Sequence, residues 1–286
     1  MGYNTKQIYR DICRGYSEIN WDGPVFVRHL DTLEMNDVTD KIEEYKLYGI
    51  QNLGLKSEDD LTTELIKSGK WPALKERSIK SCDEDIENLE ISKKNIKNEG
   101  QIDDIYDAII EYREKKSKLI QEKYSLMPLS AELYAHKLGR EYMAELSCFR
   151  DKNFTKPVGS LEYEDSAEKL LNSLFSIDTT ADKLKEICIQ PFFWSVFTMS
   201  EDLSRFFGKP LYSLTYNQVN LLRCGKNYAQ IAYETSDAPE KYAKIPDKLV
   251  MWSILRKNGG VTEEDSKKEE DARQLKLQQT VAQFSR

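Results

Sequence analysis

Two histidines are the first residues to consider for chemistry, because imidazole is the side chain that changes its charge near neutral pH. His29 and His136 lie in unrelated contexts, and neither belongs to an H-E-x-x-H motif or to a paired Cys/His spacing. His29-Leu30-Asp31 could form a base held by a carboxylate, but two residues of separation do not guarantee contact. We therefore predict that both histidines are structural, with no metal site and no catalytic residue in the chain.

The motifs for phosphate binding and nucleophilic catalysis are also missing from the sequence. Gly208-Lys209-Pro210 and Gly225-Lys226-Asn227 are isolated Gly-Lys pairs without the glycine spacing of a phosphate loop. No G-x-S-x-G elbow occurs, and the scattered cysteines form no recognisable thiol-protease pattern. The sequence thus predicts a protein that is not an enzyme and that uses no cofactor.

Composition narrows the classes of partner. Hydrophobic residues make up 40% and charged residues 32% of the 286 positions, against roughly 45 to 50% and 25% in typical globular proteins. This balance favours long, exposed helices over one compact core. The net charge is -7, so the chain lacks the overall positive charge that attracts nucleic-acid backbones, and we expect no nucleic-acid partner. The most apolar window, residues 187–199, is too short to span a bilayer, so we expect no membrane partner.

The strongest structural signal is a pair of heptad-like runs on either side of Gly100. Apolar residues step by three and four in both runs, as they do along the buried seam of a coiled coil. The short polar link between the runs favours antiparallel packing of the two arms. The predicted seam consists of Ile79, Ile86, Leu89, Ile96, Ile102, Ile105, Ile109, Tyr112 and Leu119.

Local signals place further elements around this hairpin. Ser57 and Ser130 are suited to cap the helices that follow them, and Thr215-x-x-Gln218 fits a capping box. The apolar spacing from Thr5 to about Ser17 predicts a helix, and Val25-Phe26-Val27 predicts a brief strand.

The predicted fold is therefore mostly α: a helical domain with a central antiparallel coiled-coil hairpin, and a helical C-terminal domain. The order is an N-terminal helical region, the hairpin, a connecting helix, an aromatic-rich helical domain and a charged tail, at residues 1–70, 71–127, 128–150, 151–258 and 259–286. The tail is either a lone exposed helix or disordered until it meets a partner.

An aromatic cluster stands out in the C-terminal part of the chain. Phe192, Phe193, Trp194 and Phe197 would occupy several faces of any helix that they form. We interpret the cluster as the centre of the C-terminal core. The alternative is that these four residues anchor a protein partner.

Six segments of the chain share a likeness with one known kind of protein: Tyr48-Gly49, 65–71, Leu133-Tyr134-Ala135, 207–210, 214–218 and 245–249. They resemble segments of a coil-containing structural or assembly protein of tailed bacteriophages. The likeness spans much of residues 45 to 252, and none of its motifs is specific for an activity. The resemblance implies a virion structural component or a tail or baseplate assembly factor, and it carries no catalytic residues.

The predicted hairpin favours a protein that functions by binding other proteins, because the charged outer face of a projecting hairpin is a natural contact surface for them. We expect a phage virion structural or tail/baseplate assembly protein whose partners are other virion or tail proteins; a homo-oligomer stays open. Widely spaced cysteines without a C-x-x-C pair, and no secretion signal at the start, indicate a reduced chain in the host cytoplasm during assembly, with the virion as a further location. The alternative is a cytosolic regulator or host-defence inhibitor that binds a single target protein.

Overall fold

A computed structural model describes residues 4–20, 23–158, 180–262 and 267, and these residues are mostly helical, as predicted. Three short strands accompany the helices. The strands are β1 (Tyr16–Asn20), β2 (Pro24–Arg28) and β3 (Cys148–Phe149). The helices are α1 (Thr5–Arg14), α2 (Thr32–Leu53), α3 (Glu58–Lys67), α4 (Ala73–Ser92), α5 (Gly100–Leu126), α6 (Ala131–Ser147), α7 (Ala181–Cys188), α8 (Pro191–Phe197), α9 (Tyr216–Glu234), α10 (Glu240–Ala243) and α11 (Pro246–Lys257).

The start signals seen in the sequence are confirmed as helix caps. The Ser57 hydroxyl accepts a hydrogen bond from the Asp60 backbone N–H at 3.1 Å. Ser130 accepts from the Leu133 backbone N–H at 3.0 Å. At the start of α9, the Gln218 N–H donates to the Thr215 hydroxyl while the Thr215 N–H donates to the Gln218 side chain. Each bond satisfies a backbone donor that the first turn of a helix leaves unpaired.

The first helix is shorter than predicted, because a strand begins where the helical spacing was expected to continue. Helix α1 ends at Arg14, and Gly15 adopts the left-handed conformation with φ +80°. Tyr16–Asn20 then pairs with β2 in antiparallel register. The predicted strand at 25–27 is confirmed as the centre of β2, which pairs with β3 on its other side.

The chain divides into two compact units. Of the described residues, those up to 75 together with those in 121–233 belong to the first unit, and those in 76–120 together with those from 234 onward belong to the second. Most of the predicted hairpin thus shares a unit with the C-terminal helices.

Two apolar clusters hold the first unit together. One cluster packs α1 against α7, α8 and α9, and the other packs the sheet against α6. Helix α2 runs beside α6, where Lys46 and Glu132 form an ion pair at 3.3 Å. The buried residues of the first cluster are Ile12, Leu184, Ile187, Cys188, Phe193, Phe197, Leu214, Leu221, Leu222 and Ala229.

The core of the second unit combines apolar packing with a charged network. Its buried residues are Ile96, Ile102, Tyr242, Met251, Trp252 and Leu255. Beside them the Glu99 carboxylate is almost fully buried and pairs with the Lys241 ammonium at 2.8 Å. Lys248 pairs with Asp103 at 2.6 Å. These partners offset the cost of removing carboxylates from water.

Helices α4 and α5 run antiparallel in this unit. Asp83 pairs with Lys116 at 2.5 Å, and Glu90, two turns later on α4, pairs with Arg113, which comes earlier on α5. Helix α4 ends at Ser92, a single 3-10 turn follows, and Ile96 is extended, so the first arm is shorter than predicted. The antiparallel direction agrees with the sequence, while coiled-coil packing along the seam stays a prediction.

Within the described residues, no helix is both long enough and apolar enough to cross a membrane.

Candidate interaction surfaces

The predicted seam residues are all removed from water to some degree. Ile79, Ile96, Ile102 and Ile109 are buried, and Ile86, Leu89, Ile105, Tyr112 and Leu119 are half-buried. The structure brings Ile96 and Ile102 together with Tyr242 and Trp252, so the end of the hairpin nearest Gly100 belongs to the core of the second unit. The outer sides of both arms carry the charges.

The aromatic cluster of α8 lies at the centre of the first unit. Phe193 and Phe197 are buried and stack on each other with ring centroids 5.1 Å apart. Phe192 and Trp194 pack against the same core and keep part of their surface in water. The core interpretation therefore accounts for Phe193 and Phe197, and only Phe192 and Trp194 have surface that a partner can reach.

An apolar stripe on α2 is a surface that the sequence analysis missed. Leu47, Ile50 and Leu53 recur at steps of three, which places them on one side of the helix. Their side chains are 54%, 40% and 50% exposed. Three large aliphatic side chains left in water on one helix side are typical of a contact surface for another protein. We call these three residues the α2 stripe.

The sequence signal for the α2 stripe was ambiguous. Its spacing is what a core-facing helix side would show, so periodicity alone favours burial. In the structure a different side of α2 meets α6, where Gly49 approaches Tyr134 and Ile42 approaches Gly139. Packing against α6 thus decides which apolar residues of α2 are covered.

Acidic residues outnumber basic ones along α2. Glu43 and Glu44 lie one turn before Leu47; Lys41 pairs with Glu44, and Lys46 is engaged by Glu132 of α6. The excess of acidic residues on the helix as a whole favours partners with basic residues around their apolar contact area.

His29 is held by a hydrogen bond to a buried serine. Its Nε2 atom lies 3.0 Å from the Ser17 hydroxyl oxygen. Ser17 is 1% exposed, so this bond ties β1 to the residue that follows β2.

The Asp31 carboxylate, two residues after His29, caps a helix. It accepts the Glu34 backbone N–H at 2.9 Å and forms the capping box of α2. His136 is exposed on α6.

In the part of the chain that the structure describes, no group of three or more His, Cys, Asp or Glu side chains is arranged to hold a metal ion. No protein-family model matches the sequence, and no curated protein or solved structure matches it.

Proposed function

We propose that this protein is a structural or assembly component of a tailed-phage particle and that it works by binding other proteins of the particle. The observation that carries the proposal is the α2 stripe, an uncovered apolar surface on a well-capped helix. The resemblance of several sequence segments to coil-containing phage proteins is the reason for proposing a tailed-phage particle as the assembly.

The partner is inferred from the chemistry of this surface. Leu47, Ile50 and Leu53 each contribute roughly 1 kcal/mol when a partner covers the exposed half of the side chain. The excess of acidic residues along α2 favours a partner whose apolar contact area is bordered by Lys or Arg. The predicted occupant is therefore a virion or tail protein with a basic rim around an apolar patch.

The hairpin supplies a second contact surface in this proposal. The charged outer sides of α4 and α5 include both acidic and basic residues. Pairs of opposite charge on such exposed helices contribute little stability each, so their role is to select neighbours and orientation rather than to hold the fold together.

The proposal is tested by mass spectrometry of particles purified from the phage that encodes this chain. We expect the protein, or the partner that it carries, to be present at a fixed ratio to the other particle proteins. Leu47→Lys combined with Leu53→Lys should reduce incorporation or partner recovery at least tenfold, because it places cations in the apolar contact.

Leu33→Lys is the matched control, since Leu33 lies on the same helix, is 74% exposed and is outside the stripe. We expect it to behave as the unmodified chain does. Equal loss in both variants would refute the α2 stripe as the contact. Recovery of a stable complex with one protein that is foreign to the particle would refute the particle role and support the regulator alternative.

A further inference from the structure

The α2 stripe has a defined chemical order along its helix. Glu43 comes one turn before Leu47 on the same side of α2, and its side chain is exposed. Leu47, Ile50 and Leu53 follow towards the end of the helix. This side of α2 therefore presents a carboxylate first and then an apolar patch about 9 Å long.

The sequence of residues 272–286 has the complementary order. These residues lie outside the described part of the chain. Leu277, Val281 and Phe284 step by four and three, a spacing that predicts one apolar side of a helix. Arg273 comes one turn before Leu277 on that side. In a helix this side presents a guanidinium first and then an apolar patch about 10 Å long.

The two segments also carry opposite net charges. Residues 272–286 contain three basic residues and no acidic one. Helix α2 contains five acidic and two basic residues. Both basic residues are engaged, because Lys41 pairs with Glu44 and Lys46 pairs with Glu132. A basic segment with one apolar side matches an acidic helix with an uncovered apolar side.

We propose that residues 272–286 of a second copy of this chain cover the α2 stripe, with Arg273 opposite Glu43 and the two apolar patches in contact. The two helices run parallel in this contact, because the charged residue precedes the apolar ones in both. This inference rests on the proposed function, since it takes the α2 stripe as the contact surface and names its partner. Every copy carries both halves of the contact, so copies link to one another within an assembly.

The contact between two chains in solution is weak. Each apolar patch has only three side chains, so we expect a dissociation constant on the order of 100 µM. A dilute chain is then monomeric, and the contact leaves its unfolding unchanged. Copies held side by side in a particle experience a much higher effective concentration, which strengthens the contact there.

Sedimentation equilibrium of the full chain tests the inference. We expect the average mass to rise as the concentration passes roughly 100 µM. Glu43→Arg and Arg273→Glu should each weaken the association roughly fivefold, because each variant places like charges opposite one another. The variant that combines both changes should associate as the unmodified chain does, since opposite charges face each other again.

Glu44→Arg is the matched control. Glu44 makes the same change of charge on the same helix, but it lies about 100° further around α2 than Glu43 and pairs with Lys41. This variant should associate as the unmodified chain does. Equal weakening by Glu43→Arg and Glu44→Arg would overturn the inference, and so would a combined variant that is not restored.

A chain that stays monomeric at every concentration would also overturn the inference. Such a chain, if it is still present at a fixed ratio in purified particles, keeps the proposed function and loses only this partner. Absence from the particles together with self-association would remove the particle role and keep the contact between copies. The two measurements therefore fail separately.

Discussion

Gly139 of α6 lies directly against the side chain of Ile42 of α2. A Cβ built on Gly139 would lie 2.2 Å from Ile42 Cγ1 and 2.8 Å from its Cδ1. Only a glycine allows the two helix backbones to approach this closely at that point. The contact fixes the crossing of α2 and α6, and it thereby determines which side of α2 remains exposed as the α2 stripe.

Gly139→Ala should destabilise the first unit by about 1–3 kcal/mol, because the added methyl group forces Ile42 out of its place. This range is the net change, after the gain of about 1 kcal/mol that alanine brings to a helix interior. Urea unfolding measures the change. Gly100→Ala is the control, since its nearest neighbour is an Asn98 oxygen at an ordinary 3.6 Å.

A double-mutant cycle isolates the contact. In the Ile42→Ala background, Gly139→Ala should cost much less, because the clashing Cγ1 and Cδ1 atoms are gone. A cost that is independent of residue 42 would show that the glycine is required for another reason.

Acidification should destabilise the first unit through His29. Burial lowers the pKa of His29 from its usual 6.5 to about 4, and its Nδ1 atom is buried without a hydrogen-bond partner. Between pH 6.5 and pH 4, His29 therefore binds a proton in the unfolded chain but not in the folded chain. Stability from this group is complete above pH 6.5 and is lost as the pH falls towards 4, by up to about 3 kcal/mol.

His29→Gln is the matched variant, since its amide can still donate to Ser17 but does not titrate. Thermal melts across this pH range should show a steeper loss for the unmodified chain than for the variant. Parallel profiles for the two proteins would contradict the assignment of this titration to His29.

The hairpin seam is tested at two neighbouring positions of α4. Leu89 is half-buried, whereas Ile91, two residues later, is 52% exposed. Leu89→Asp should lower the free energy of unfolding by about 1–3 kcal/mol, because it places a carboxylate against apolar neighbours. Ile91→Asp should change it by less than about 0.5 kcal/mol. Equal effects in denaturant unfolding would argue against a buried seam at this turn.

Val261, within the predicted charged tail at 259–286, is hydrogen-bonded to the segment before Gly100. The Val261 backbone N–H donates to the Lys97 carbonyl at 2.9 Å, and the Glu99 N–H donates to the Val261 carbonyl at 3.2 Å. Gly260 packs so closely on Leu255 that a Cβ there would lie 2.2 Å from it. The first residues of the predicted tail thus belong to the second unit, whereas 263–266 and 268–286 lie outside the described residues.

Two truncations separate the packed residues from the rest of the tail. A chain that stops after Thr262 keeps both backbone bonds and should melt as the full chain does. A chain that stops after Gly259 loses them and should be less stable by about 1–2 kcal/mol. Calorimetry compares the two, and identical melting of both would show that the contact at Val261 contributes nothing.

Much of the local structure could be predicted from the sequence. The caps at Ser57, Ser130 and Thr215 were predicted correctly, because each depends on a hydrogen bond between residues three positions apart. The strand at 25–27 was also found, since β-branched and aromatic residues carry that preference themselves. The mostly α class followed from the same local signals.

The candidate sites could be predicted from the sequence only in part. Composition singled out the aromatic residues of α8, and heptad periodicity predicted the hairpin seam. The α2 stripe did not, because an exposed and a buried apolar side of a helix have the same spacing. Likewise, no spacing rule brings Ser17 to His29, since this pair is joined by packing between elements that are separate in the chain.

The sequence by itself determined the helix caps at Ser57, Ser130 and Thr215, which arms repeat in heptads and which motifs are missing from the chain. The tertiary structure decided that α1 stops at Gly15 so that Tyr16–Asn20 can pair with β2, and that Ile96 and Ile102 join α11 rather than only each other. The physical reason is the range of the interactions. Capping and periodicity act within a few residues, whereas strand pairing and core membership depend on which distant segment fills the adjacent space.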